Sequence, residues 1–398
     1  MAEAVSKPQR GVVTGMMRMA AIGLFALVAG CAGGRIIPQP ERPPAAVAPP
    51  PGAAPVIQPG LPEDEARHRV ALLVPLTGQN AGVGQSIANA TQMALLDTNN
   101  DRVRITTYDT AAGADGAVRA ALAEGNGLIL GPLLADDVRV VAPVARAAHV
   151  PVLSFSNDSS VAGQGTYLLG YSPAQSIARV VAYARASGVT DFAGLVANGV
   201  YGERAGSALV QAVGAAGGRV VAMESFDNRP GSLTTAVTRM GRTPFQAVLI
   251  AASGDSAAAA APLLRRTTGG ATAHILGTEL WNADSGIGGN RALDGAWFAS
   301  VPNNYYRQYA RRYRERFGVA PYRLSTLGYD AVLLVVRLAD DWRVGRTFPE
   351  ARLRDPGGFA GLDGAFRFGA DGIAERALEV QEIRGGTTTV VAPAPTGF

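Results

Sequence analysis

Val70-Ala71-Leu72-Leu73-Val74-Pro75-Leu76, closed by Thr77-Gly78, is an unbroken apolar run ended by a turn signal, the pattern of a strand covered on both faces. Helical spacing through Ile87, Ala90, Ala94 and Leu95 predicts a helix over Gly84–Asp97. The two patterns then alternate: strands at Val103–Tyr108, Gly127–Leu130 and Val150–Phe155, and helices at Gly116–Ala123 and Asp136–Ala148. Strands separated by helices of about ten residues imply parallel βαβ units.

A second series repeats the first. Helices are expected at Ala174–Ser187, Gly202–Ala215, Thr234–Met240 and Asp255–Arg265, and strands at Phe192–Ala197, Arg219–Phe226, Ala247–Ala251 and His274–Leu276. Two successive doubly wound series suggest two similar lobes. The stretch Tyr305–Arg337 reads as helical, with Tyr305, Tyr309, Tyr313 and Phe317 as a packed aromatic stripe opposite a solvated arginine face. Phe366–Phe368 and Glu379–Ile383 read as closing strands.

Upstream of the folded pattern lies a different kind of sequence. Lys7, Arg10 and Arg18 stand against one acid, Glu3, before an apolar stretch from Met19 to Ala29 and then Gly30-Cys31. That is the charge, apolar and small-residue order of a bacterial export signal. The apolar stretch is shorter than the roughly 20 residues needed to span a bilayer. It resembles the lipobox of bacterial lipoproteins, which implies that Cys31 becomes the acylated first residue. Ala32 in second place implies the periplasmic face of the outer membrane. From Gly33 to about Glu65 the chain is rich in proline and alanine, an extended tether at about 3 Å per residue.

Composition excludes several classes. The net charge is +4, of which +2 lies before Cys31, too little on the remainder to suggest nucleic acid. With Cys31 the only cysteine, no internal disulfide forms. Gly82-Val83-Gly84-Gln85-Ser86-Ile87 approaches a dinucleotide fingerprint, but Ile87 replaces the third glycine. There is no Gly-x-Ser-x-Gly elbow. His68, His149 and His274 lack metal-ligand spacing. The sequence gives no positive sign of catalysis, although distant residues can assemble a triad that no local motif records, and the expectation is a protein without enzymatic activity, cofactor or metal.

Val74-Pro75-Leu76-Thr77-Gly78, Gly131-Pro132-Leu133, Val150-Pro151-Val152-Leu153-Ser154-Phe155-Ser156-Asn157, Tyr201-Gly202 and Gly328-Tyr329-Asp330-Ala331 occur in that order. The set resembles the type I periplasmic-binding fold of the leucine-binding kind. Within it, the set is most similar to the penicillin-binding-protein activator lipoproteins. The resemblance implies two α/β, Rossmann-like lobes joined by three crossovers, placed near Gly170, Ser300 and Gly345. The expected organisation is a signal peptide over 1–30, an acylated tether over 31–66, a first lobe from 67–170 with 301–345, and a second from 171–300 with 346–398. It further implies a non-catalytic, lipid-anchored scaffold that activates a penicillin-binding protein in peptidoglycan synthesis. The alternative is a solute receptor for an ABC permease, importing branched-chain amino acids or related small molecules.

A ligand would meet loops at the carboxyl ends of the strands. In amino-acid binders the loop after the third strand ends in hydroxyl residues. Here it reads Gly131-Pro132-Leu133-Leu134-Ala135-Asp136-Asp137, the two acids serving the start of the next helix. Ser154, Ser156 and Asn157 offer hydroxyls and an amide to the cleft, or form an ordinary turn. Tyr201 closes over a ligand or packs at the cleft edge. Glu279, in Gly277-Thr278-Glu279-Leu280-Trp281, faces a ligand amine or is a solvent-facing loop acid.

Overall fold

A computed structural model describes residues 67–397. Cys31, the export signal and the whole of the expected tether lie outside the described residues. The chain opens with β1 (His68–Val74), α1 (Ala81–Thr98), β2 (Val103–Asp109), α2 (Ala114–Ala123), β3 (Leu128–Leu130), α3 (Ala135–Ala147), β4 (Val152–Ser154) and β5 (Thr166–Leu168). These strands form one parallel sheet in the order β2-β1-β3-β4-β5. From Val70 to Val74, β1 is fully buried, because helices cover both of its faces and leave no position for a polar side chain.

The chain then enters the second lobe with α4 (Pro173–Ala186), β6 (Asp191–Ala197), α5 (Val200–Ala215), β7 (Arg219–Phe226), α6 (Ser232–Met240), β8 (Ala247–Ala251), α7 (Gly254–Leu264), β9 (His274–Gly277) and β10 (Trp297–Ser300). It returns through α8 (Asn304–Phe317), α9 (Ser325–Ala339) and a small antiparallel sheet of β11 (Phe359–Gly361), β12 (Gly364–Phe368) and β13 (Ala374–Arg376). Finally β14 (Glu379–Arg384) and β15 (Thr387–Ala392) add to the second sheet, whose order is β15-β14-β10-β9-β8-β6-β7. That sheet is mixed: β10 runs parallel to β9 but antiparallel to β14.

Glycine sets how closely strand and helix approach in each lobe. A Cβ on Gly84 of α1 would lie 1.8 Å from the Pro75 carbonyl oxygen, and one on Gly202 of α5 would lie 1.7 Å from that of Ala197. Neither helix could begin where it does with a larger residue.

Two expectations change. Residues 346–376, expected with the second lobe, pack instead in the first lobe's core: Phe348, Leu353, Phe359, Phe366 and Phe368 join Leu72, Leu130 and Leu153 in one buried cluster. Burying each such side chain is worth about 1.5–3 kcal/mol, so the third passage between lobes falls at Ala377-Leu378 rather than near Gly345. The long helical stretch is also divided, because Gly318 takes a left-handed conformation (φ 72°) and caps α8. Tyr309 and Tyr313 are buried as the stripe predicts, whereas Tyr305 is exposed.

Candidate functional site

The carboxyl ends of the parallel strands in both sheets border one cleft, where a cavity of about 340 Å³ lies between the lobes. Its apolar wall includes Val83, Leu133, Leu134, Phe155, Leu280 and Leu378. Asn157, Gln175, Ser176, Glu279, Arg323 and Arg376 supply polar groups. A small, mostly apolar cavity with a few converging polar groups is the form of a ligand site.

Glu279 follows β9 and is half-buried in the cavity wall. Ser176 of α4 donates a hydrogen bond to its Oε2, and the Tyr201 hydroxyl donates to its Oε1 at 2.9 Å while lying 2.8 Å from Thr278 Oγ1. Burial raises the carboxyl above the usual range, and these hydroxyls offset part of that effect. Burial and the neighbouring carboxylate raise the Tyr201 phenol in turn. Among the described residues the side-chain contacts of Glu279 are hydroxyls, with no cation paired to it.

The opposite wall, from the first lobe, handles charge differently. Arg323, just before α9, donates from Nη1 to Asp363 Oδ1 at 2.8 Å and to Thr326 Oγ1 at 2.9 Å. Tyr171, on the first passage between lobes, donates to Asp363 Oδ2 at 2.5 Å. Arg376 Nη1 stands 3.9 Å from Asp330 Oδ2, and its Nη2 donates to the Leu169 carbonyl at 2.7 Å. Burial works against the ionised form of Asp363, but Arg323 and Arg376 outweigh it and hold the carboxyl low. Asp330 is displaced upward by burial and by the Asp363 charge.

Ser154 and Ser156 take a different role from a cleft wall. The Ser154 hydroxyl donates to the Pro132 carbonyl at 2.9 Å and accepts from the Ser156 amide at 3.0 Å. The Ser156 hydroxyl accepts from the Asp158 amide at 3.1 Å. Both are spent on the turn; Asn157 alone of the three reaches the cavity. The same turn presents Asp158, which pairs with Arg139 of its own lobe at 2.9 Å and with Arg204 of the other at 2.6 Å. Burial pushes the Asp158 carboxyl up, yet hydrogen bonds from Ser160 and Arg204 bring it down to about 2. This pair ties the lobes together beside the cavity. Ser176, Tyr171, Arg323, Arg376 and the Asp158–Arg204 pair carried no local motif; only Asp330 lay inside a segment that resembles the family.

Among the described residues no group of three or more His, Cys, Asp or Glu is placed to hold a metal ion, and no helix is long and apolar enough to cross a membrane. The periplasmic binding protein family matches residues 68–388. The chain belongs to this family. As a periplasmic binding protein it shares its fold with the leucine-binding protein LivK of Thermotoga maritima, at 19% identity and TM-score 0.61, covering 82% of this chain and 98% of that one. A branched-chain amino acid ABC transporter periplasmic ligand-binding protein of Burkholderia xenovorans is similar at 15% identity and TM-score 0.68, covering 83% and 96%. LpoA of Haemophilus influenzae is similar at 20% identity and TM-score 0.62, with 82% of this chain covering 59% of that one. An uncharacterized protein of Rickettsia prowazekii is 25% identical over 146 residues, 35% of this chain and 38% of that protein.

Proposed function

We propose that this periplasmic binding protein closes its lobes on a small, largely apolar molecule that carries an amine. Glu279 carries the reading: its side chain is half-buried in the wall of a cavity of about 340 Å³ with hydroxyls as its side-chain contacts. An ionised carboxylate in such a place needs a counter-charge, and a ligand ammonium supplies one through charge-assisted hydrogen bonds. Leu133 and Leu134, where hydroxyls would suit a carboxylate, support an apolar body beside that loop. On this reading the partner is an ABC permease, and closure of the two lobes is the signal it receives.

A second reading rests on Cys31 and the proline- and alanine-rich stretch after it. These support an outer-membrane lipoprotein that reaches inward to activate a penicillin-binding protein in peptidoglycan synthesis, in line with the resemblance to activator lipoproteins.

The ligand reading is tested by calorimetric titration of the full-length protein with L-leucine and with 4-methylpentanoate, its counterpart without the amine, and by Glu279→Gln. Binding should depend on the amine and weaken about 100-fold in the variant. Equal binding of both compounds, unaffected by the substitution, would overturn it. Cross-linking in cells separates the partners: a permease supports the receptor, and a cell-wall synthase supports the activator.

A further inference from the structure

We propose that the outward face of α8 is a docking surface for an anionic phospholipid membrane, with Arg307, Arg311 and Arg314 meeting the lipid phosphates. The surface lies outside the cleft and needs no ligand there.

α8 turns its aromatic stripe inward, where Tyr309 and Tyr313 pack against Ala90 and Met93 of α1 and Tyr329 and Val332 of α9. Residues three and four apart share one side of a helix, so Arg307, Arg311 and Arg314 form a row on the opposite side, and all three are exposed. Glu315 is the one acid in the helix. Elsewhere the chain pairs its exposed arginines: Arg119 with Asp115 on α2, Arg139 with Asp136 on α3, Arg102 with Asp340 and Arg352 with Asp341. Even Arg312 of α8, half-buried, reaches Asp97 at 3.0 Å. Among the described residues Arg307, Arg311 and Arg314 stand in no ion pair. The buried Glu379 carboxylate acts on Arg307 through space alone.

Like charges three and four apart on a helix repel, so the row opposes the helix that carries it. The negative end of the helix dipole accounts for Arg314 and Arg316 in the last turn, but not for Arg307 and Arg311. An outside anion accounts for all of them. A protein partner needs an apolar core to its interface, whereas the residues beside the row are Asn304, Gln308 and Glu315, all exposed. Lipid phosphates ask for cations alone, and each guanidinium fork matches phosphate oxygens. A convex helix face also meets a flat surface without needing a groove. The stretch between Cys31 and Arg67 reaches about 100 Å when extended, so an anchor at Cys31, on the second reading above, keeps this face within range of a membrane. The affinity of the arginines themselves does not depend on that anchor.

The test is co-sedimentation of the full-length protein with vesicles of phosphatidylcholine alone and of phosphatidylcholine mixed with phosphatidylglycerol. The parent should prefer the anionic vesicles, and the preference should shrink as the range of charge falls from about 10 Å at 0.1 M salt to about 3 Å at 1 M. Arg307→Gln, Arg311→Gln and Arg314→Gln together should weaken binding to the anionic vesicles about 100-fold, near 5-fold for each arginine. Thermal unfolding should not change, because the three side chains are exposed. The triple lysine variant keeps the charge and should stay within about 3-fold of the parent. The cations and apolar stretch before Cys31 are common to all these proteins, so their contribution cancels. No preference in the parent, or a preference that survives the three glutamines in a folded protein, overturns the proposal. Capture of an acidic protein by cross-linking through the row, with vesicle binding equal in parent and variant, overturns it in favour of a protein partner. The mass of the chain recovered from cells reports acylation at Cys31 separately, so a failed anchor leaves the vesicle result standing.

Discussion

Gly84 seats α1 on the end of β1 in the first lobe, and Gly202 seats α5 on the end of β6 in the second. At the far end of each sheet a histidine that opens a strand stacks on a tryptophan, His68 on Trp342 at 4.2 Å and His274 on Trp297 at 4.5 Å. The scaffolds correspond, but the walls they turn toward the cleft do not. In the first lobe, cations are matched by Asp330 and Asp363 within one network. The second offers Glu279, surrounded by hydroxyls. Repetition of the scaffold therefore serves folding, and on the proposed reading the asymmetry between the walls marks where an outside molecule completes the charge balance.

The strongest way to break this comparison is through Asp363. Replacing it with asparagine leaves Arg323 buried without its carboxylate, and removing one partner of a buried pair typically costs about 3–5 kcal/mol. Hydrogen exchange should show the loss in β1 and β3 of the first lobe, with β6 and β8 of the second keeping their protection. Equal loss in both lobes would mean that the network belongs to the junction as a whole.

Glu279→Gln sharpens the contrast from the other wall. Because burial raises the Glu279 carboxyl, the folded state binds its proton more tightly than the unfolded state. Stability from this group is therefore present at low pH and lost as pH rises from the ordinary carboxylate value through the raised one. The glutamine variant lacks that dependence. Without ligand, its stability relative to the parent should grow with pH by up to about 1.4 kcal/mol per unit inside that window, read from thermal unfolding across a pH series. A constant difference would place an unseen cation beside Glu279.

Legibility in the sequence divides along the same line. Continuous apolar runs such as Ala247–Ala251, fully buried in β8, and helical spacing such as that of α1 announce themselves because burial on a regular element imposes a period. Short edges did not: β5, β11 and β13 have three residues each, too few for a pattern. The lobe boundary was misplaced because Phe359, Phe366 and Phe368 choose their core by tertiary fit, which no local spacing records. Glu279 and Tyr201 were singled out because their loops follow strands, and the structure brings the two into one hydrogen bond. Arg323 and Arg376 were missed because a buried arginine looks in sequence like any surface arginine; its role comes from Asp363 and Asp330, 40 and 46 residues away.

The smallest effect on a ligand is expected at the loop that looked most like a binding site. Ser154 and Ser156 spend their hydroxyls on Pro132 and on the amides of Ser156 and Asp158, so they shape the turn that presents Asn157 and Asp158. Replacing either with alanine removes hydrogen bonds worth about 1 kcal/mol net, which denaturant unfolding would register. Affinity for an amine-bearing ligand that the parent binds should change by no more than about 2-fold, since Glu279 is untouched. Loss of binding in a variant of normal stability would move the site onto this loop and remove the contrast between the walls. Loss of stability together with a more open cleft in solution scattering would instead trace the effect to Asp158 and its pair with Arg204 in the other lobe.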